Sequence, residues 1–130
     1  MKQLKFRAWN TSTSRMFDVA QITFVEGAWS VEVGQGVSIP NQPHIILMQF
    51  TGFSDVHGKD IYEGDVFLCP YGRDEHYDHR YVVKWAGEMG CFFLQKVGRP
   101  CPLGIMQPAM PDARRYRIIG NVYEVRELLY

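Results

Sequence analysis

The sequence lacks an excess of charge of either sign. Its 14 lysine and arginine residues balance its 14 aspartate and glutamate residues, so the formal net charge at pH 7 is zero. A neutral chain has no overall attraction for the phosphate groups of nucleic acid, because that attraction depends on cationic side chains. General nucleic-acid binding is therefore disfavoured, and only a local basic patch could support it.

Long hydrophobic runs and paired cysteines are also missing. The longest strongly apolar run, Ile45 to Met48, is far too short to span a bilayer. Residues 1–5 lead directly into an alternating pattern, without the apolar stretch of a secretion signal. The three cysteines, Cys69, Cys91 and Cys101, are odd in number and widely spaced, which favours reduced thiols over a disulfide framework. We therefore expect a cytoplasmic protein that does not contact membranes.

Signatures of known catalytic chemistry are lacking as well. The chain has no nucleophile elbow, no zinc-protease helix motif and no phosphate-binding loop. The nearest glycine pair, Gly34 and Gly36, has neither a third glycine nor a following helical pattern. We therefore expect a protein that is not an enzyme and that has no cofactor.

Apolar and aromatic residues are plentiful. Of the 130 residues, 46% are hydrophobic and 14% are aromatic, which suits one domain with a single core better than two small ones. Strand patterns dominate: Leu4, Phe6 and Ala8 alternate with polar residues, as in a half-buried strand with its charges on the outer face. The sequence predicts an all-β fold, a small, partly open β-barrel with an N-terminal β-meander and a short C-terminal helix. An α+β fold is the alternative.

The predicted elements divide one domain, residues 1–130, into four parts. These are a β-meander over residues 1–46, a linking turn motif over 47–66, barrel strands over 65–120 and a helical tail over 121–130. Glycines and prolines from Gly34 to Pro43 predict a loop. Period-two patterns and bounding turns predict strands at 4–9, 15–19, 22–25, 29–33, 45–50, 65–68, 80–85, 91–97 and 115–119.

The tail from Asn121 to Leu129 has the pattern of a short amphipathic helix. Asn121 is suited to cap its start, and Glu124 follows three residues later. Val122, Val125 and Leu129 share one face, which would dock the helix on the barrel.

The stretch from Leu47 to Val66 has the chemistry of linked turns. Gly52 and Gly58 can adopt backbone conformations that a Cβ atom disfavours. Asp55 can accept hydrogen bonds from the backbone that follows it, and Ile61 and Tyr62 can anchor the turns in the core. We interpret the stretch as a folding element.

Two carboxylates in this stretch, Glu63 and Asp65, look like a catalytic pair, because alternate residues of a strand point to the same side. Turn chemistry explains Asp65 without catalysis, and we favour that interpretation.

The same stretch resembles the YopX family of phage and prophage proteins. That family has the pattern QFTG followed by D-x-x-G-K-x-I-Y-E-G-D-[IV], which residues 49–66 reproduce. The opening Lys5 to Trp9, followed by Met16, is similar to the family's start. The closing Ile118 to Glu124, with Leu128 and Leu129, is similar to its end. The resemblance covers nearly the whole chain in the right order.

The resemblance implies a largely β fold and an origin in a phage or prophage genome. It implies no established activity and no catalytic residues. The chain departs from the family at Val125 and Arg126, where members often have Asn-Pro, and this affects the predicted start of the tail helix. Gly98 to Ala113 matches no part of the family pattern.

Gly98 to Ala113 is predicted to be a long loop without regular structure, because it contains four prolines. Its apolar side chains are Leu103, Ile105, Met106 and Met110. They either fold back over the end of the barrel or form an arm that contacts another subunit or a host partner.

Arg114, Arg115 and Arg117 form the one basic cluster, with Tyr116 among them. Arginine beside an aromatic ring can stack on bases and pair with phosphates, so the cluster is a candidate nucleic-acid site on a small β-barrel. The alternative is a solvated strand face, since Arg115 and Arg117 would lie on one side and Tyr116 on the other.

Asp74, His76 and His79 lie in the densest group of possible metal ligands. If they held a divalent metal, an open coordination position would suit a metal-dependent hydrolase. The spacing follows no zinc-finger interval, so a solvated loop of mixed charge is the alternative.

Three functions remain open from the sequence. The first is a phage accessory protein that acts through contacts with itself, as a homo-oligomer, or with a host or phage protein. The others are a nucleic-acid-binding module and a metal-dependent hydrolase.

Overall fold

A computed structural model describes residues 4–34, 37–40, 42–68, 80–88, 90–97, 102–105 and 117–126. Within these ranges the chain is all-β, and every element is a strand. The strands are β1 (Phe6–Asn10), β2 (Arg15–Asp18), β3 (Gln21–Val25), β4 (Ala28–Val33), β5 (Val37–Pro40), β6 (Ile45–Ser54), β7 (Asp60–Tyr62), β8 (Asp65–Leu68), β9 (Arg80–Ala86), β10 (Cys91–Lys96), β11 (Pro102–Ile105) and β12 (Arg117–Asn121).

The strands form three antiparallel sheets. One has the order β2-β1-β6-β7, the second β11-β10-β9-β8-β12 and the third β3-β4-β5. The fold includes a sheet curled into a half-barrel. The predicted all-β class and its open, barrel-like curvature are thus confirmed.

The first hairpin, β1–β2, turns at residues 11–14, between the two strands that the sequence predicts at 4–9 and 15–19. The Asn10 side-chain oxygen accepts hydrogen bonds from the backbone N–H groups of Ser12 and Thr13, at 2.9 and 3.3 Å. An asparagine that binds its own downstream backbone in this way fixes a turn without help from the core. Trp9 then pairs with Met16 across the hairpin.

The predicted face assignment of β1 is wrong. Arg7, Ala8 and Trp9 are all buried, whereas Leu4 is exposed. Both faces of β1 are therefore covered, and on its charged side Arg7 packs against the Tyr62 ring and pairs with Asp65. A period-two pattern shows alternation but does not show how many faces are covered.

The second hairpin, β3–β4, turns over two residues, since Val25 pairs with Ala28. Glu26 and Gly27 both have positive φ angles, 50° and 81°, as a type I′ turn requires. The base of the hairpin is in the core, where Val31 is fully buried.

The predicted loop from Gly34 to Pro43 is wrong for residues 37–40, which form β5 and pair with β4. Val37 and Ile39 alternate with Ser38, so a short strand pattern lies between the breakers. Pro40 is tolerated because it stands at the end of an edge strand, where no ladder bond is lost.

Strand β6 runs through the predicted turn at Thr51 and Gly52 to end at Ser54. Gly52 has a φ of 92°, and the register with β7 shifts between Phe50 and Ser54. The glycine therefore allows a bulge within a continuous strand, which is a common alternative use of glycine in a strand. Strand β7, which the sequence did not predict, pairs with this irregular end.

The core includes a cluster that joins β7 to the five-stranded sheet. Ile61, Phe67, Val83 and Phe92 are its buried members. Fully burying one such side chain stabilises the fold by about 1.5–3 kcal/mol. The prediction that Ile61 is an anchor is confirmed, since Ile61 has no exposed surface.

Two predictions for the C-terminal part are corrected. Residues 102–105, predicted to be loop, form β11 and pair with β10. The predicted C-terminal helix is not shown, because Asn121 ends β12 and residues 122–124 form a turn; residues 127–130 of that prediction lie outside the described chain. The Asn121 side-chain oxygen does accept hydrogen bonds from the N–H groups of Tyr123 and Glu124. The capping chemistry is therefore as predicted, but it closes a turn.

Candidate functional site

The Asp55 turn connects β6 to β7 and also reaches the last strand. One Asp55 carboxylate oxygen accepts hydrogen bonds from the N–H groups of His57 and Lys59, both at 2.8 Å. The other accepts from the N–H of Ile118 at 3.2 Å. Asp55 is only 4% exposed, so one buried carboxylate organises its own turn and ties it to β12.

The electrostatics of Asp55 follow from these bonds. Burial raises the pKa of Asp55, but the backbone N–H groups of Lys59, Ile118 and His57 together hold it below its ordinary value. Hydrogen bonds to the ionised form outweigh burial here, so the turn is built around a carboxylate anion.

A buried ion pair joins β1 to the start of β8. Arg7 donates from Nη2 to Oδ1 of Asp65 at 2.8 Å and to the carbonyl oxygen of Glu63 at 3.1 Å. The guanidinium lies over the Tyr62 ring, 4.7 Å from its centroid. The other carboxylate oxygen of Asp65 accepts from the N–H of Tyr62 at 2.8 Å. We call Arg7, Tyr62, Glu63 and Asp65 the arginine clamp.

The clamp carboxylates are desolvated. Burial raises the pKa of Asp65, and the charge of Arg7 offsets only part of that effect. Burial also raises the pKa of Glu63, against the opposing effects of a hydrogen bond from the Gln49 N–H and of Arg7. Each of the two carboxylates is thus bonded to the protein's own backbone or to Arg7.

The clamp holds structure together and offers little to a substrate. The side chains of Arg7 and Asp65 are 10% and 2% exposed. The Arg7 Nε is also buried and has no hydrogen-bond partner in the described part of the chain. A ligand could not reach these atoms without opening the sheet, which supports the interpretation of Asp65 as a structural residue.

Gly64, between Glu63 and Asp65, is enclosed on both sides. Its N–H donates to the carbonyl oxygen of Val83, and its own carbonyl oxygen accepts from the N–H of Val122. Its φ is 84°, and a Cβ atom here would lie 2.9 Å from Cε2 of Tyr123. The glycine is therefore required both by backbone conformation and by close packing.

Gly64→Ala is expected to destabilise the fold more than Gly58→Ala. Both positions have positive φ, but a Cβ at Gly58 meets nothing within 4 Å. Backbone strain alone predicts a loss of about 1–2 kcal/mol at Gly58. The clash with Tyr123 should add about 1–3 kcal/mol at Gly64. Urea unfolding of both variants checks this, and equal losses would show that the Tyr123 ring moves aside freely.

The candidate residues of the long loop fall partly within the described chain. Leu103 and Ile105 lie in β11, where Ile105 pairs with Phe93 of β10. They are therefore part of a sheet edge and not of a free arm. Met106 and Met110 lie outside the described residues.

The candidate basic cluster and metal ligands are mostly outside the described chain. Arg117 is exposed at the first position of β12, and Arg114 and Arg115 lie outside the described residues. The same holds for the predicted metal ligands, Asp74, His76 and His79. Within the ranges that the structure does describe, no three His, Cys, Asp or Glu residues come together as a metal site.

Two exposed apolar residues that the sequence did not single out lie at the end of the β3–β4 hairpin, on opposite faces of the strand. Phe24 is 72% exposed and Val25 is 63% exposed. We call these two residues the hairpin tip. The sequence pattern identified the strand but could not show that the core ends before its last residues.

These features define an all-β protein with a curled half-barrel sheet, a buried arginine clamp and an exposed apolar hairpin tip. Residues 5–130 match the family described as YopX protein, and the chain belongs to that family. The resemblance inferred from the sequence is confirmed.

The chain is also similar to the crystal structure of protein EF1440 from Enterococcus faecalis. The two share 24% identity and a TM-score of 0.64, and the match covers all of both chains. At this identity the likeness shows the fold alone. No curated protein matches the chain. The described part of the chain contains no helix that is long and apolar enough to cross a membrane.

Proposed function

We propose that this chain is a phage- or prophage-encoded accessory protein that acts in the bacterial cytoplasm through contacts with other protein chains, without catalysing a reaction. Membership of the YopX family supports the phage origin, which the resemblance of the sequence to phage and prophage proteins implies. The buried, internally bonded carboxylates of the clamp support a role that does not depend on catalysis.

The observation that carries the proposal is the exposure of the hairpin tip. Phe24, at 72%, has the largest exposed fraction among the large hydrophobic side chains of the described residues, and Val25 is its sequence neighbour. The tight turn at Glu26 and Gly27 holds both side chains at the end of a regular hairpin. Aromatic residues are enriched in protein interfaces, because a large ring gains much from leaving water.

Photo-crosslinking in cells tests the proposal. A photoreactive phenylalanine analogue is placed at Phe24 in the chain expressed with its native phage or prophage genes, and at Val56 as the control. Val56 is also exposed, at 50%, but it lies in a turn and neither of its sequence neighbours is an exposed large hydrophobic residue. We expect a defined crosslinked product from position 24, identified by mass spectrometry, and none from position 56. The absence of a product at 24, or identical products at both positions, would refute a contact role for the tip.

A further inference from the structure

The edges of the three sheets differ in how they are protected. Edge strands expose unpaired backbone groups, so proteins usually blunt them with charge, proline, bulges or short length. Within the described ranges six strands form edges: β2, β3, β5, β7, β11 and β12. Charge protects β2, through Arg15 and Asp18, and proline protects β5 and β11, through Pro40 and Pro102. Strand β7 is only three residues long and starts with Asp60. Strand β12 contains Arg117 and a register shift.

Strand β3 has none of these protections. Its sequence, Gln-Ile-Thr-Phe-Val, contains no charge and no proline, and its pairing with β4 is regular over all five residues. Among the strands that the structure describes, it pairs with β4 alone, on one side. An unprotected, regular edge of β-branched and aromatic residues is the kind of strand to which another strand adds.

We infer that the partner of the β3 edge is a second copy of this chain, whose β3 pairs antiparallel with it about a two-fold axis at Thr23. This inference rests on the proposed function and names its partner. A two-fold interface must be self-complementary, because the same patch is used on both subunits. An axis at Thr23 places Ile22 opposite Phe24 of the second copy, and Gln21 opposite Val25. No like charges meet.

The backbone geometry of the hairpin suits this pairing. The pair that closes a two-residue turn is hydrogen-bonded, so Val25 and Thr23 direct their backbone groups to β4. Alternation then directs the backbone groups of Ile22 and Phe24 outward. With the axis at Thr23, the backbone N–H and C=O groups of Ile22 in one copy face the C=O and N–H groups of Phe24 in the other.

The side chains support the same arrangement. Phe24 pairs with Trp29 within the hairpin, and Ile22 pairs with Val31, so these four lie on one face. That face is buried at Val31 and exposed at Phe24. Addition of the second β3 would continue the face with Ile22 and Phe24 of the other copy, and the exposed ring would lie against an apolar neighbour.

Sedimentation of the purified full-length chain tests the inference. We expect the wild-type chain to sediment as a dimer, with twice the chain mass of 15.1 kDa. Thr23→Lys places two like charges at the axis and should weaken dimerisation about tenfold or more. Thr13→Lys is the matched control, because Thr13 is exposed in the turn of the β1–β2 hairpin. A monomeric wild-type chain, or equal behaviour of the two variants, would overturn the inference.

A cysteine substitution tests the axis itself. Non-hydrogen-bonded residues that face each other in an antiparallel pair have Cα atoms about 4.5 Å apart, within disulfide range. Thr23→Cys should therefore give a linked dimer on mild oxidation, identified by its disulfide-bonded peptide. Gln21→Cys should not, because each Gln21 faces Val25 of the other copy. Linkage through Gln21→Cys, or none through Thr23→Cys, would refute an axis at Thr23.

The two proposals fail separately. If crosslinking from position 24 captures a different protein while the purified chain is a monomer, the inference of self-pairing fails and the contact function stands. If the chain dimerises only through another surface and position 24 gives no product, both fail.

Discussion

Replacing Arg7 with methionine is expected to lower the free energy of unfolding by about 3–5 kcal/mol, because it leaves the carboxylate of Asp65 buried without its counter-charge. The side chain of Asp65 is 2% exposed, so water cannot replace the lost partner. The pKa of Asp65, already raised by burial, should rise further. Domains of this size are stable by about 5–15 kcal/mol, so the loss is a large fraction. Urea unfolding followed by tryptophan fluorescence measures it.

Two further variants separate the charge from the packing. Adding Asp65→Asn to Arg7→Met removes the buried, unpaired negative charge. The asparagine keeps a side-chain oxygen that can accept the hydrogen bond from the Tyr62 N–H, so the double variant should be more stable than Arg7→Met alone. Lys5→Met is the matched control. It breaks the Lys5–Asp60 ion pair, of similar length at 3.0 Å, but both side chains are more than a third exposed. We expect no measurable loss there. Equal losses from Arg7→Met and Lys5→Met would contradict the clamp.

Asp55→Ala is expected to have the second large effect, a loss of about 3–5 kcal/mol. It removes the acceptor for the N–H groups of His57, Lys59 and Ile118, and a buried donor left without a partner costs about 1–3 kcal/mol. Asp55→Asn should lose less, because its side-chain oxygen still accepts while its NH₂ group cannot. Equal stability of the alanine and asparagine variants would show that the bonds of Asp55 contribute little.

The same residue predicts a pH dependence. The pKa of Asp55 is lowered in the folded chain, so its stabilising effect is full above the ordinary aspartate value of about 3.9 and is lost as the pH falls through the folded value. The raised pKa values of Glu63 and Asp65 act in the opposite direction, since folding favours their protonated forms. The difference in stability between wild type and Asp55→Asn isolates Asp55, and it should shrink as the pH falls below about 4. A difference that is constant with pH would contradict the assignment.

Local patterns predicted much of the fold. The hairpin turn at Asn10, the Asp55 turn and the start of β8 at Asp65 all depend on side chains that act on their own neighbouring backbone. Sequence shows such features directly. The hairpin of β3 and β4 was predicted as well, but with Ala28 in its turn, whereas Ala28 is the first residue of β4 and pairs with Val25.

Features set by distant contacts were missed. The alternating pattern predicted that Arg7 is a solvated charge on the outer face of its strand. Its partner, Asp65, is 58 residues away in the sequence, and no pattern within one sequence pairs the two. The helix expected after Asn121 had both a cap and an apolar stripe, yet residues 122–124 form a turn beside Gly64, where the ring of Tyr123 packs. Tertiary packing overrides a short segment's preference, because so few residues gain little from forming a helix.

The hairpin tip could not be found from sequence for a similar reason. Phe24 has the alternation of a core residue, and only the extent of the surrounding sheets shows that the core stops at Val31. A pattern indicates which residues share a face but not where other elements cease to cover it.

The most direct test of the central claim, that this chain acts through protein contacts at its hairpin tip, is crosslinking from position 24 in cells. We expect a discrete product at position 24 and none at position 56, because, of these two positions, Phe24 alone combines an exposed ring with a described strand edge. If position 24 yields no protein partner, neither this chain nor another, the hairpin tip has no contact role in the cell.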